Sequence, residues 1–263
     1  MKPALNDSER KSLQRRIRLK VAYDGTDYRG WQFQPEEPTI QGHLEEALEK
    51  ILGEKVRVTG AGRTDTGVHA LGQVAHFDTL NNLPAKVIER ALNATLPREI
   101  RVRQVTEACE TFHARHWALW KMYRYGIADM HLPESIFLDR TNWLRNTSVD
   151  LETLNQCCSI VLGEHDFATF SKKEGARENH LCRVYEAYWK KEETSLSFEI
   201  KADRFLRGMV RMLVGGMIAV AGRRTTVDDF SRALASLGRW RMAEPAPACG
   251  LTLVQVEYPE KFK

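Results

Sequence analysis

"KVRVTGAGRTDTGVHALGQVAHFDT", residues 55–79, holds two strand-like segments and an unusual connection between them. "KVRVT" and "QVAHFDT" are rich in residues that suit strands, so the spacing predicts a hairpin. Its connector has glycines at 60, 62, 67 and 72 and carries Arg63 and Asp65. On the N-terminal side, Ile17, Leu19, Val21 and Tyr23 alternate in "RRIRLKVAYDG", a strand that stops at the turn pair Asp24-Gly25. Ile40, Leu44, Ala47, Leu48 and Ile51 then recur at helical spacing, with Thr39 as N-cap and Gly53 past the end. On the C-terminal side, "PAKVIERALNATL" predicts a helix after Pro84 and "IRVRQV" a strand. The first half therefore reads β-α-β-β-α-β.

The same order recurs beyond residue 110. A strand in "LWKMYRYGIA" is followed by a helix in "DLETLNQCCSIVLG", a hairpin from "CRVYEAYWK" to "SLSFEIKA", and a helix from about Arg204 to Val220. A further helix, "TVDDFSRALASLG", precedes a last strand, "GLTLVQVEY". Two such patterns predict an α+β fold of two ferredoxin-like, RRM-like halves with a mostly antiparallel sheet. The expected divisions are a flexible tail over 1–14, an N-terminal half over 15–110 with the Asp65 loop, and a C-terminal half over 111–263. Sheets lying side by side would turn the Asp65 loop and the later helix toward one central cleft.

Composition narrows the class. At 263 residues the chain exceeds the usual single-domain size, and 43% hydrophobic with 28% charged residues is ordinary for a folded protein. The five cysteines (109, 157, 158, 182 and 249) form no C-x-x-C, so neither a disulfide framework nor a thiolate metal site is expected; they read as reduced thiols in a core. "MKPALNDSERKSLQRR" has no apolar core of a signal peptide, and the apolar run "MLVGGMIAVAG" is too short to span a bilayer. A cytoplasmic protein with no membrane role is expected. The net charge of +4 permits a polyanionic partner without demanding one.

A carboxylate beside an arginine is commonly a structural ion pair. Here the four glycines suggest awkward backbone angles or the close approach of a substrate, and charged connectors of this kind more often hold sites than cores. An arginine partner keeps a carboxylate ionised, by roughly one to three pKa units, which suits a nucleophile better than a general acid. The P-loop pattern is absent, which disfavours nucleotide triphosphate chemistry. His113 and His116 in "FHARH", and His69 and His76 around the second hairpin strand, lack acidic or cysteine partners at a metal spacing, so no metal is expected.

Basic and aromatic residues interleave in "FHARHWALWKMYRYG" and "DRFLRGMVRMLVGG". On a strand, Tyr123 and Tyr125 share a face with Lys121 while Arg124 points away; the tyrosines are either half-buried sheet residues or a platform for a base. On the later helix Arg207 and Arg211 fall on one face with Arg204 beside them, and Met209, Met212, Leu213 and Met217 supply the buried side. That face is either solvated or a clamp for phosphate or carboxylate. "QRRIRLK", "GRR" and "GRWR" add further positive charge.

The segments "GRTDTGVHALGQVAHF", "FHAR", "YRY", "HDFATF", "FLRGMVRMLVG" and "APACGLTLVQVEYP" together resemble the successive motifs of TruA-type tRNA pseudouridine synthases, from about Arg16 to Pro259. The resemblance implies the pseudouridine synthase fold and a cofactor-free homodimer that isomerises uridine at nucleotides 38, 39 and 40 of the tRNA anticodon stem-loop. By motif, Asp65 falls on the catalytic aspartate, and Arg63 on a residue that helps place the target base and RNA backbone. Tyr123 falls on the tyrosine that packs by the base, Arg211 on the arginine that pairs with the aspartate, and Arg115 on a basic position near the cleft. Thr66 stands where the family often has alanine and Gly208 where a larger polar residue is frequent; neither removes a reacting group.

The implied reaction breaks the C1′–N1 bond, turns the uracil and joins C5 to C1′. The nucleotide must leave the stack, Asp65 attacks either C1′ or C6, and a base must take the C5 proton, a role Tyr123 either fills or leaves for stacking. Arg29 in "YRGWQFQ", Arg207 and the charged loop "SKKEGARENH" are further candidates for RNA contact. Two rivals rank lower. A double-RRM binder would show an aromatic RNP1 strand, which is absent, and a glycosidase would need a second catalytic carboxylate, which is not found.

Overall fold

A computed structural model describes residues 14–145, 149–172, 179–193, 195–236 and 244–262. The chain divides into two compact units. The first takes the described residues up to Thr66, Ala70–Ala118 and those from Tyr258 on; the second takes Gly67–His69 and Leu119–Glu257.

In the first unit the elements run β1 (Arg15–Tyr23), α1 (Ile40–Leu52), β2 (Thr59–Gly60), β3 (His69–Thr79, here from Ala70), α2 (Ala85–Thr95) and β4 (Ile100–Ala108). The strands pair antiparallel in the order β4-β1-β3-β2, the ferredoxin-like order the sequence predicts. The alternation in β1 does what it promises. Ile17, Leu19, Val21 and Tyr23 are buried, while on the other face Arg16 holds Asp78 through two bonds of 2.7 Å and Arg18 lies over the rings of Phe112 and Tyr258. Helix α1 starts where the Thr39 hydroxyl accepts the Gly42 N–H, and ends where Gly53 turns left-handed at φ 71°. Its Leu44 and Leu48 are fully buried, each worth about 1.5–3 kcal/mol.

The strand expected over residues 55–59 is much shorter. Only Thr59 and Gly60 pair with β3, because the Val58 N–H donates to the Glu45 carboxylate of α1 at 2.9 Å, and Arg57 binds the same side chain. A donor taken up by a side chain cannot join a ladder.

The second unit repeats the pattern with additions. Its elements are β5 (Trp120–Asp129), α3 (Ser135–Leu138), β6 (Trp143–Arg145), α4 (Leu151–Val161), β7 (Gly163–Asp166), β8 (Leu181–Lys191), β9 (Ser195–Ala202), α5 (Met209–Ala221), α6 (Val227–Ala235) and β10 (Leu251–Glu257). The order β10-β5-β9-β8 matches that of the first unit strand for strand, all antiparallel. The short β6 and β7 and the one-turn α3 are not anticipated by the sequence reading. β6 pairs parallel with Ile127–Asp129, beyond Tyr125 where the ladder to β10 ends.

Helix α5 begins at Met209, not near Arg204. Gly208 sits at the N-cap in the left-handed region (φ 72°), and the Arg204 N–H is held by Asp203 Oδ1 at 2.6 Å. Arg207 therefore precedes the helix and does not share a helical face with Arg211. Met209, Leu213 and Met217 are buried as expected, whereas Met212 is only partly so.

All five cysteines are unpaired; Cys157, Cys158 and Cys182 are buried, but Cys109 is exposed and so lies outside any core. Among the described residues no helix is long and apolar enough to cross a membrane.

Candidate active site

Asp65 lies on the connection between β2 and β3. The part of that connection before Asp65 is tied to the rest of its unit. The Ala61 N–H reaches Val74 O at 2.7 Å, and Gln73 Nε2 donates to Gly62 O at 2.7 Å. Thr64 is buried; its hydroxyl bonds the Tyr23 hydroxyl at 2.9 Å, and its carbonyl accepts the Trp31 N–H at 3.1 Å. Burial pushes the Tyr23 phenol up to about 12, so it stays a neutral hydrogen-bonding group. Next in the chain, Asp65 is half-buried and Arg63 and Thr66 are exposed. Arg63 and Asp65 are thus not a buried ion pair.

Two glycines account for the closeness of this packing. Gly30 has φ +89°, and a Cβ there would stand 2.5 Å from Thr64 O and 3.1 Å from the Asp65 carbonyl carbon. At Gly60 a Cβ would stand 2.6 Å from the Trp31 ring. Of the two reasons for glycine weighed from sequence, Gly60 serves close approach, but by the protein's own tryptophan. Gly67, at φ +77°, serves the awkward angle.

The loop before Gly30 carries Arg29, which is exposed and pairs with Glu37 at 3.1 Å. Arg115, also exposed, belongs to the same unit, in the turn after Phe112, whose ring is fully buried. The second unit holds the other candidates. Tyr123 on β5 is buried and meets Phe205 edge to face, ring centroids 4.9 Å apart. Tyr125, two residues on, is wholly buried and donates to Pro247 O at 2.8 Å. Arg211, half-buried on the first turn of α5, donates from Nε to Ala246 O at 2.7 Å while its own carbonyl accepts the Ala246 N–H at 2.9 Å. One turn on, Gly215 leaves room for the same segment, since a Cβ there would overlap Glu244 O. Arg207 is exposed and its carbonyl accepts the Lys172 N–H.

Residues 173–178 of "SKKEGARENH" and 238–241 of "GRWR" lie outside the described residues. Among those described, no group of three or more His, Cys, Asp and Glu is placed to hold a metal ion. Sequence reasoning missed Tyr23, Gly30, Trp31 and Thr64 around the Asp65 loop and Gly215 beside Arg211, which shape the backbone there without chemistry of their own. A glycine inside an otherwise helical pattern, as at 215, is the one signal that pointed to a packing requirement.

The family model described as tRNA pseudouridine synthase matches residues 20–116 and 158–259. A curated relative from Chlorobium luteolum, a tRNA pseudouridine synthase A, is 41% identical over 249 residues, covering 94% of this chain and 97% of its own. One of the same name from Acetivibrio thermocellus is 37% identical, covering 93% of this chain and 100% of its own. Among solved structures, a crystal structure of a Cbf5-Nop10-Gar1 complex aligns with a TM-score of 0.37 at 13% identity; 90% of this chain is covered, and the chain spans 58% of the length of that one.

Proposed function

The chain belongs to the tRNA pseudouridine synthase family, isomerases of tRNA uridine, and from that premise we propose that Asp65 is its nucleophile, acting on uridines at nucleotides 38, 39 and 40 of the anticodon stem-loop. One observation carries the role of Asp65. It is the half-buried carboxylate on a connection whose neighbouring residues are held by Tyr23, Trp31, Gln73 and Val74, so an attacking group is presented from a fixed backbone.

The target nucleotide leaves its stack at a cost of a few kcal/mol. Tyr123 offers an aromatic surface for the base, and Arg63 and Arg211 bind the base and its charged surroundings. The Asp65 carboxylate attacks C1′ or C6, the C1′–N1 bond breaks, the uracil turns so that C5 joins C1′, and the bond to Asp65 breaks in turn, which restores the carboxylate. The C5 proton then leaves and N1 gains one, so atoms and charge balance with no redox partner. Arg115, Arg29 and Arg207 contribute phosphate contacts, which makes binding weaken steeply with salt.

Asp65→Asn tests the assignment: unmodified tRNA should bind as before while pseudouridine formation is lost. Turnover by that variant removes Asp65 from the chemistry. Mapping pseudouridine in the product tRNA tests the position, since modification outside 38 to 40 contradicts it. The active form is read as a homodimer, with a light-scattering mass near twice 30.2 kDa; a single mass of 30.2 kDa overturns that reading.

A further inference from the structure

We propose that His76 is a positioning residue for Arg115, fixing the turn that presents this arginine to tRNA by accepting the Ala114 backbone N–H. This rests on the reading of Arg115 as a phosphate contact. His76 is buried on β3, and its Nδ1 accepts the Ala114 N–H at 3.2 Å. Ala114 is itself fully buried, and its carbonyl accepts the Tyr258 hydroxyl at 2.6 Å. Both polar groups of the residue before Arg115 thus end on side chains from distant parts of the unit.

The next two N–H groups are held in the same way. Those of Arg115 and His116 both point to His113 Nδ1, at 3.2 and 3.3 Å, and the Trp117 N–H closes the turn on His113 O at 3.1 Å. Three successive backbone donors therefore rest on two imidazole nitrogens, each of which can accept only when neutral, with its proton on Nε2. The rings of His76 and His113 lie 4.8 Å apart, and those of His113 and His116 4.1 Å. Burial first, then Arg16 and His113, hold His76 down to about 4, against an opposing pull from Asp78. It remains a neutral acceptor at working pH. A Leu at position 76 leaves the Ala114 N–H buried without a partner, and the turn must shift to find one.

The test is a double-mutant cycle read as KM for unmodified tRNA. His76→Leu should raise KM about tenfold with kcat changed less than about twofold, as loss of a ground-state contact does. His76→Asn, whose amide oxygen can stand near the Nδ1 position, should stay within about twofold of the parent. In an Arg115→Ala background, His76→Leu should add nothing. An equal rise in both backgrounds, no rise in the parent, or a fall in kcat alone overturns the positioning role and leaves the Arg115 contact standing. Arg115→Ala with unchanged KM removes that contact, and the inference with it. Should His76→Leu fail to fold, His76→Phe, which keeps a ring against Phe112 and His113 but has no acceptor, carries the same cycle.

Discussion

The two units share one strand order, yet the hairpins between their second and third core strands differ. In the second unit β8 ends at Lys191 and β9 begins at Ser195, with the Glu192 N–H closed on Ser195 O at 2.8 Å. The ladder runs unbroken from Lys191↔Leu196 to Ala187↔Ile200. In the first unit β2 makes two pairs with β3, and residues 61–66 then leave the sheet with Asp65 among them. A fully paired hairpin spends its backbone on the ladder and carries little else. Giving up that pairing puts a carboxylate on a loop outside the sheet, and that loop is then held by Tyr23, Gln73 and the absent side chain of Gly30. The frame is common to both units, and the proposed chemistry belongs to one of its loops.

That contrast orders the expected effects. Asp65→Asn should cut turnover roughly a thousandfold or more with tRNA affinity within about threefold, measured by single-turnover kinetics and filter binding. Gly30→Ala places a methyl 2.5 Å from Thr64 O at a φ of +89°. It should destabilise by about 1–3 kcal/mol in thermal melts and lower kcat about tenfold by displacing the loop. Tyr23→Phe, which deletes one buried hydrogen bond under the loop, should cost about 1 kcal/mol with a smaller loss of kcat.

Acid should separate the units. His76 is held below its ordinary value, so the unfolded chain binds a proton that the folded first unit refuses; stability is full above about pH 6.5 and falls toward about pH 4. In the second unit burial would raise Glu199, but the hydrogen bonds from Tyr188, Lys190 and Arg124 outweigh it and hold this carboxyl low. Its contribution is present above the ordinary glutamate value and is lost only as pH falls through its lowered one. Hydrogen exchange against pH should therefore show the first unit losing protection at a higher pH than the second. The smallest effect belongs to Ser195→Ala in the tight hairpin. It removes a 3.3 Å bond to Glu192 and should shift stability by less than about 0.5 kcal/mol with turnover unchanged. A loss of turnover matching that of Tyr23→Phe would break the contrast.

How much of this is legible in sequence follows the range of the interactions. β1 and α1 are written locally, in the alternation of Ile17 to Tyr23 and in the caps at Thr39 and Gly53, and the repeated strand order follows from such elements in succession. The Asp65 loop is also visible, because glycines and charge fall together between strand-like segments. The end of β2 and the start of α5 are not. One depends on Glu45 reaching Val58, the other on Gly208 turning left-handed in an otherwise helical pattern. The clamp on the loop is invisible for a related reason. Tyr23 and Thr64 are 41 residues apart, and neither type announces its partner.

The most direct measurement of the central claim is tritium release from tRNA labelled at uridine C5, followed for the parent protein and for Asp65→Ala. Release by the parent alone is the result that the proposed role of Asp65 predicts. Release by Asp65→Ala at the parent's rate would contradict it and move the chemistry elsewhere in the chain.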